Sequence, residues 1–205
     1  MPLLDEVGPD GAILLREIEE FRTFLATNPR GERADFLPFF AAHTQLCAFL
    51  GTLNDKVSAG THVKIELSLW GDFTCDLVAG SLQDGAFVLV EFEDASPASL
   101  FRRRQGRKNS HWGTRVERGI SQVTDWLFRI SSEGPSDRME RDFGARHVIP
   151  MGVVVVGRRA EVTAYDRVRL DWRSAHSVIG GAKLSILTYD DLLAWLDGRV
   201  TVLRT

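Results

Sequence analysis

Residues 63–94 read VKIELSLWGDFTCDLVAGSLQDGAFVLVEFED, and the fold turns on this stretch. It divides into three consecutive strands at about Val63–Leu69, Phe73–Ala79 and Ala86–Glu93, the last two linked by the hairpin loop Gly80-Ser81-Leu82-Gln83-Asp84-Gly85. The third strand is apolar until it meets two carboxylates. Side chains two apart share a face of a strand, so Phe87, Leu89, Glu91 and Glu93 point one way and Val88, Val90 and Phe92 the other. A strand that is apolar on both faces is a buried strand, and a buried carboxylate requires a partner, a proton or a metal. The middle strand carries a single acid, Asp76. Folding the hairpin about Leu82–Gln83 sets Asp76 opposite about Leu89 and diagonal to Glu91. In that register Asp76 and Glu91 converge on one metal ion.

Around this centre the chain is of ordinary globular composition, with 44% hydrophobic and 26% charged residues in 205 positions, enough for one domain with a real core. The expected division is a helical part at about 12–53 followed by a sheet core at about 63–197. No apolar run is long enough to span a bilayer, and the acidic N-terminus has no signal-peptide character. Cys47 and Cys75 lack metal or redox spacing and read as buried thiols in a reducing cytoplasm. A formal charge of −3 excludes a uniformly basic nucleic-acid binder. Charge is uneven, however: Arg102, Arg103, Arg104, Arg107, Lys108, Arg115 and Arg118 are opposed by Glu117 alone, and such a patch suits phosphates. The five histidines show no ligand spacing, and the five tryptophans read mainly as core.

Helical periodicity marks Ala12–Ala26 and a second region at Asp35–Leu53. Asp94–Gly113 reads as a loop. Thr114–Ser131 is an amphipathic helix with a capping box at Thr114 and Glu117. Ser132–Arg146 is a polar excursion, and Val148–Val156 is the most hydrophobic strand, expected at the centre of the sheet. Ala160–Ser174 reads as a helix with Val162, Tyr165, Val168, Leu170 and Trp172 on its apolar side. A short strand, Lys183–Leu187, precedes a closing helix capped by Thr188 and Asp191. The first three strands form an antiparallel meander, and the strand after the Thr114 helix joins in parallel through a crossover. The expected fold class is α/β, a mixed sheet flanked by helices.

This order of elements, with Asp in the second strand and Glu-x-acid in the third, resembles the PD-(D/E)XK restriction-endonuclease-like fold. The leading helices ending in Asn28-Pro29, the helix bearing Gln122, and the segment Ser185-Ile186-Leu187-Thr188-Tyr189-Asp190-Asp191-Leu192-Leu193 resemble the nuclease-like C-terminal domain of Shedu antiphage proteins, over about residues 15–197. The resemblance implies a cytoplasmic, Mg²⁺- or Mn²⁺-dependent DNA endonuclease of a prokaryotic defence system. Asp76 and Glu91 match its metal-binding acids, Glu93 its motif lysine, and Gln122 a glutamine near the active site. DNA is the implied partner, with Arg102, Arg103, Arg104, Arg107 and Lys108 as phosphate contacts. A homo-oligomer is expected, with room for partner proteins of the defence system. Where the pattern has Glu-x-Lys, this chain has Glu91-Phe92-Glu93. An anion does not do the work of the lysine. Either a base or cation reaches in from elsewhere (Lys64 on the neighbouring strand is one candidate), or a second metal takes over, or the fold is catalytically inactive and serves nucleic-acid binding or oligomerisation.

Overall fold

The computed structural model describes residues 3–103 and 109–203, with side chains through Val200 at the C-terminal end. The chain opens with a short strand, β1 (Asp5–Glu6), and helix α1 (Gly11–Ala26). Asp10 caps α1 by accepting from the Ala12 and Ile13 N–H groups, and Leu14, Ile18, Phe21 and Leu25 form its buried stripe. The helical region expected at Asp35–Leu53 is broken into pieces: a π-helical turn at Glu32–Phe36, α2 (Leu37–Ala42), α3 (Thr44–Leu50) and a 3₁₀ turn at Gly51–Leu53. The break at His43 has a tertiary cause. Buried Glu17 of α1 accepts the Leu46 N–H at 2.7 Å, so the first turn of α3 is capped by another helix and has no need to continue from α2.

The meander follows as β2 (His62–Leu69), β3 (Phe73–Ser81) and β4 (Ala86–Phe92). The expected loop after it contains the stem of a small ribbon, β5 (Phe101–Arg102) with β6 (His111–Trp112). Helix α4 (Thr114–Glu133) comes next, then α5 (Asp137–Phe143) inside the stretch read as a polar excursion. The remaining elements are β7 (Ile149–Val155), α6 (Ala164–His176), β8 (Val178–Ile179), β9 (Ala182–Leu187) and α7 (Tyr189–Leu203). Among the described residues the main sheet has seven strands in the order β1-β2-β3-β4-β7-β9-β8. Strands β1 to β4 pair antiparallel, β4–β7 and β7–β9 parallel, and β8 is antiparallel to β9 at the far edge. Helices α1, α2, α3 and α7 pack on one face, and α4, α5 and α6 on the other. The protein is therefore α/β with a mixed sheet flanked by helices, and hydrophobic β7 is an interior strand between β4 and β9, while β4 takes the middle place. Among the described residues no single helix is long and apolar enough to cross a membrane.

Several expectations are corrected. The hairpin register is Val78↔Leu89 and Leu77↔Val90, so the turn centres later than Leu82–Gln83 and Asp76 lies across from Glu91, not Leu89. The capping box at Thr114 and Glu117 does not form. Gly113 takes the cap position with extended backbone, and its N–H donates to the Leu100 carbonyl at 2.8 Å. Glu117 instead pairs with Arg173 at 2.6 Å. The box at Thr188 and Asp191 does form, with reciprocal bonds of 3.1 Å. Helix α6 starts at Ala164, and Tyr165, Val168 and Trp172 on its supposed core side are 60%, 65% and 64% exposed. Its inward face is set by Leu170 and by Asp166, which accepts from Ser110, Thr163 and Arg169. Of the tryptophans, only Trp126 is in the fully buried core. Both cysteines are buried and free, as expected.

Close packing of α4 on the sheet depends on a glycine in β7. A Cβ at Gly152 would lie 2.3 Å from Val123 Cγ1, with no flexible chain end to move aside. Gly152→Ala is expected to destabilise the fold by about 1–3 kcal/mol through overpacking, measured as a lower urea midpoint with an unchanged m-value.

Candidate active site

Strand β4 is buried along its whole length, and the acids gather at its C-terminal end. The regular β3–β4 ladder stops at Leu77↔Val90. Beyond it the Asp76 carboxylate accepts the Phe92 N–H at 2.9 Å, occupying a place that a backbone carbonyl would otherwise take. On the other side of Asp76, pairing passes from Ile65↔Leu77 to Leu67↔Cys75 and skips Glu66, whose φ is 48°. A left-handed conformation is costly for a residue with a side chain. Asp76 thus sits where both flanking strands depart from regular pairing.

Helix α4 closes the site from the far layer. A Cβ at Gly119 would lie 3.3 Å from Glu93 Cγ and 3.5 Å from Glu91 Cγ, so the helix backbone rests directly on the two glutamates. The alternation read from the strand holds: Phe87 and Leu89 lie in the α4-side core, and Val88, Val90 and Phe92 in the other. Glu93 is not a solvated strand end. Asp76, Glu91 and Glu93 are 6%, 1% and 0% exposed.

Burial is the largest influence on all three acids and raises each above the ordinary carboxylate range. The Phe92 N–H opposes it at Asp76, while the charges of Asp76 and Glu93 reinforce it at Glu91. A hydrogen bond between the Asp76 and Glu91 side chains favours an ionised Asp76 and a protonated Glu91, so the pair holds one proton between two carboxyl groups. Glu93 is pushed up to about 7 by burial, with Arg118 and Arg115 pulling it down and Glu32 and Asp94 pushing it up.

Glu32 is the residue that the sequence did not reveal. It is buried at the start of the π-helical turn, and its charge acts on Asp76, Glu91 and Glu93 alike. Its N–H donates to Asp94 Oδ1 at 3.1 Å, which ties the turn to the end of β4. No local signal marks it, because Glu32 lies in the short stretch between the helical regions expected at Ala12–Ala26 and Asp35–Leu53. Tyr189 of α7, stacked on Phe36 at 3.6 Å, donates its hydroxyl to the Glu93 carbonyl at 2.8 Å and floors the site.

The remaining predicted residues divide. Gln122 is half-buried on α4, its oxygen accepting from Arg118 Nε at 3.1 Å. Lys64 is not in the site: it pairs with Asp5 at 3.1 Å on the sheet edge. Arg102 and Arg103 are exposed on the ribbon. That ribbon is anchored beside the start of α4 by the Gly113–Leu100 and Val116–Ser99 backbone bonds, with Arg169 and Arg173 over the Trp112 ring. Arg104, Arg107 and Lys108 lie outside the described residues.

Among the described residues, no group of three His, Cys, Asp or Glu side chains is arranged to hold a metal ion. Magnesium, however, is held by one or two carboxylates plus waters. Glu91 Oε2 and Glu93 Oε1 are buried without a hydrogen-bond partner, and an orphaned buried carboxylate oxygen is the feature a cation would satisfy. The donor chemistry of Asp76 and Glu91 fits a hard divalent ion once their shared proton leaves.

The family model described as Shedu protein SduA, C-terminal, matches residues 30–193. No curated protein matches the chain.

Because these acids bind protons more tightly folded than unfolded, their stabilising contribution is full below the ordinary carboxylate range and is lost as pH rises through the folded values. With chelator present, the urea midpoint is expected to fall from about pH 5 upward, through the Glu93 value of about 7 and beyond. Glu91→Gln, which needs no proton, is expected to flatten that fall. A profile rising with pH, or one unaltered by Glu91→Gln, would contradict the site electrostatics.

Proposed function

The chain belongs to the Shedu SduA C-terminal family, and from that premise we propose that it is a metal-dependent DNA endonuclease acting in prokaryotic antiphage defence. The observation that carries the reading is the buried cross-strand pair Asp76–Glu91 with the unpartnered Glu91 Oε2. In this reading Asp76 and Glu91 hold Mg²⁺ or Mn²⁺ at the end of β4. A divalent ion held there would polarise a phosphate oxygen and acidify a water. Hydrolysis joins the water oxygen to phosphorus, breaks the bridging P–O bond, and leaves a phosphomonoester and a hydroxyl that takes its proton from solvent. To hold such an ion, Glu91 would have to release the proton it shares with Asp76. Glu93 gathers Arg115 and Arg118 at the rim, and Tyr189 and the Phe92 N–H keep the acids in place. The ribbon carrying Arg102 and Arg103 offers positive charge beside the same helix terminus.

A second reading has its own support. The position two residues after Glu91 is an acid already engaged by two arginines, so the strand offers the phosphate no cation. A chain of this kind binds DNA without cutting it, or serves oligomerisation.

The deciding assay is cleavage of linear and supercoiled DNA with Mg²⁺ or Mn²⁺. The endonuclease reading expects metal-dependent cleavage, lowered about 100-fold or more by Asp76→Ala and by Glu91→Ala. Wild-type protein that binds DNA with salt sensitivity but never cuts would place it in the second reading. Independently, the double variant Arg102→Ala/Arg103→Ala is expected to weaken binding evenly across sequences and to reduce the log–log salt slope by about 2, as read by fluorescence anisotropy. An unchanged slope would remove the ribbon from the DNA interface.

A further inference from the structure

Phosphodiester hydrolysis builds negative charge on the phosphoryl and leaving oxygens, and a cation placed there lowers the barrier. A cluster of buried acids repels the substrate unless the protein brings such a cation. The strand does not bring it, since Glu93 stands two residues after Glu91. Lys64 is held at the sheet edge by Asp5. Arg33 lies between Glu32 and Glu66, 3.7 and 3.6 Å away. Arg115 is divided between Glu93 at 3.5 Å and Asp94 at 2.8 Å.

Arg118 differs from all of these. Its Nε lies 3.1 Å from Gln122 Oε1 and 3.6 Å from Glu93 Oε1. Its terminal nitrogens donate to no partner among the described residues, and the side chain is 53% exposed. One edge of the guanidinium is therefore held and the other faces outward, which is the geometry of a fork for phosphate oxygens. Its placement is fixed by the next residue. Gly119 brings the α4 backbone within van der Waals reach of Glu91 and Glu93, so Arg118 emerges at the rim of the acids rather than a layer away.

We propose that Arg118 is the catalytic cation that meets the scissile phosphate, supplied from α4 in place of a strand lysine, and that Glu93 and Gln122 are its positioning residues. The assignment rests on the phosphodiesterase reading for its chemistry, but a binding measurement tests it separately. Two readouts are needed: single-turnover DNA cleavage with Mg²⁺, and a ³¹P NMR titration of thymidine 5′-monophosphate with Ca²⁺ present. Arg118→Ala is expected to slow cleavage about 100-fold or more and to weaken nucleotide binding about 10-fold, with a native circular dichroism spectrum retained. Arg118→Lys is expected to recover part of both, having the charge without the fork. Gln122→Ala is expected to lower kcat with KM unchanged, and Gln122→Glu, which keeps an acceptor for Nε, to restore it. Glu93→Gln is expected to add nothing in the Arg118→Ala background, the mark of residues acting as one unit. Arg118→Ala that cleaves and binds like wild type overturns the assignment. If the wild type never cleaves, the endonuclease reading fails and the titration alone decides. A loss of nucleotide binding in Arg118→Ala then retains Arg118 as the phosphate cation, while equal binding, or none in the wild type, removes it.

Discussion

Two carboxyl groups buried at the end of a fully buried strand impose the conditions that the surrounding structure meets. Removing an ionised carboxylate from water is expensive, and the protein answers in three ways. Asp76 and Glu91 face each other and hold a proton between them. The Phe92 N–H turns to Asp76, so the β3–β4 ladder opens there. Glu93, one side-chain step further along the same face, draws Arg115 and Arg118 from α4. Glu91 Oε2 and Glu93 Oε1 still lack a hydrogen bond, although Arg118 Nε lies 3.6 Å from Glu93 Oε1.

The helix layer makes this arrangement possible. Gly152 lets α4 lie close on β7, and Gly119 lets the same helix touch the glutamates. A side chain at either position would lift the helix and carry Arg115 and Arg118 away from the acids. Packing and electrostatics are therefore one problem here: the close approach that fills the core also delivers the cations. At the start of α4, a Cβ at Gly113 would lie 2.1 Å from the Ser99 carbonyl oxygen, so only glycine allows this approach; with the Gly113 N–H donating to the Leu100 carbonyl, it fixes the base of the β5–β6 ribbon beside the site. An acidic floor, an arginine rim and a basic ribbon thus converge on one helix terminus.

Much of the centre was legible in the chain. An acid inside an apolar strand has few ordinary explanations, and Asp76 and Glu91 declared themselves that way. What resisted reading has physical reasons. Apolar periodicity in α6 says that one face is apolar, not which face packs, and the polar contacts of Asp166 with Ser110, Thr163 and Arg169 turned Tyr165, Val168 and Trp172 outward. The capping box at Thr114 matched in type but lost to the tertiary bond of Gly113. The hairpin register was missed because a loop of small and polar residues does not say where the chain reverses.

The sequence by itself determined the α/β class, the meander and parallel crossover, the interior place of β7 and the burial of Asp76 and Glu91. These follow from side-chain alternation and hydrophobic run length, which are local properties. Only the tertiary structure decided that Glu32 joins the acids from 44 residues before Asp76 in the chain, that Lys64 stays away, and that Arg118 approaches Glu93. Each depends on which surfaces come together when the layers close. The energies that choose those contacts belong to pairs of residues far apart in the chain, and no window of sequence contains both members.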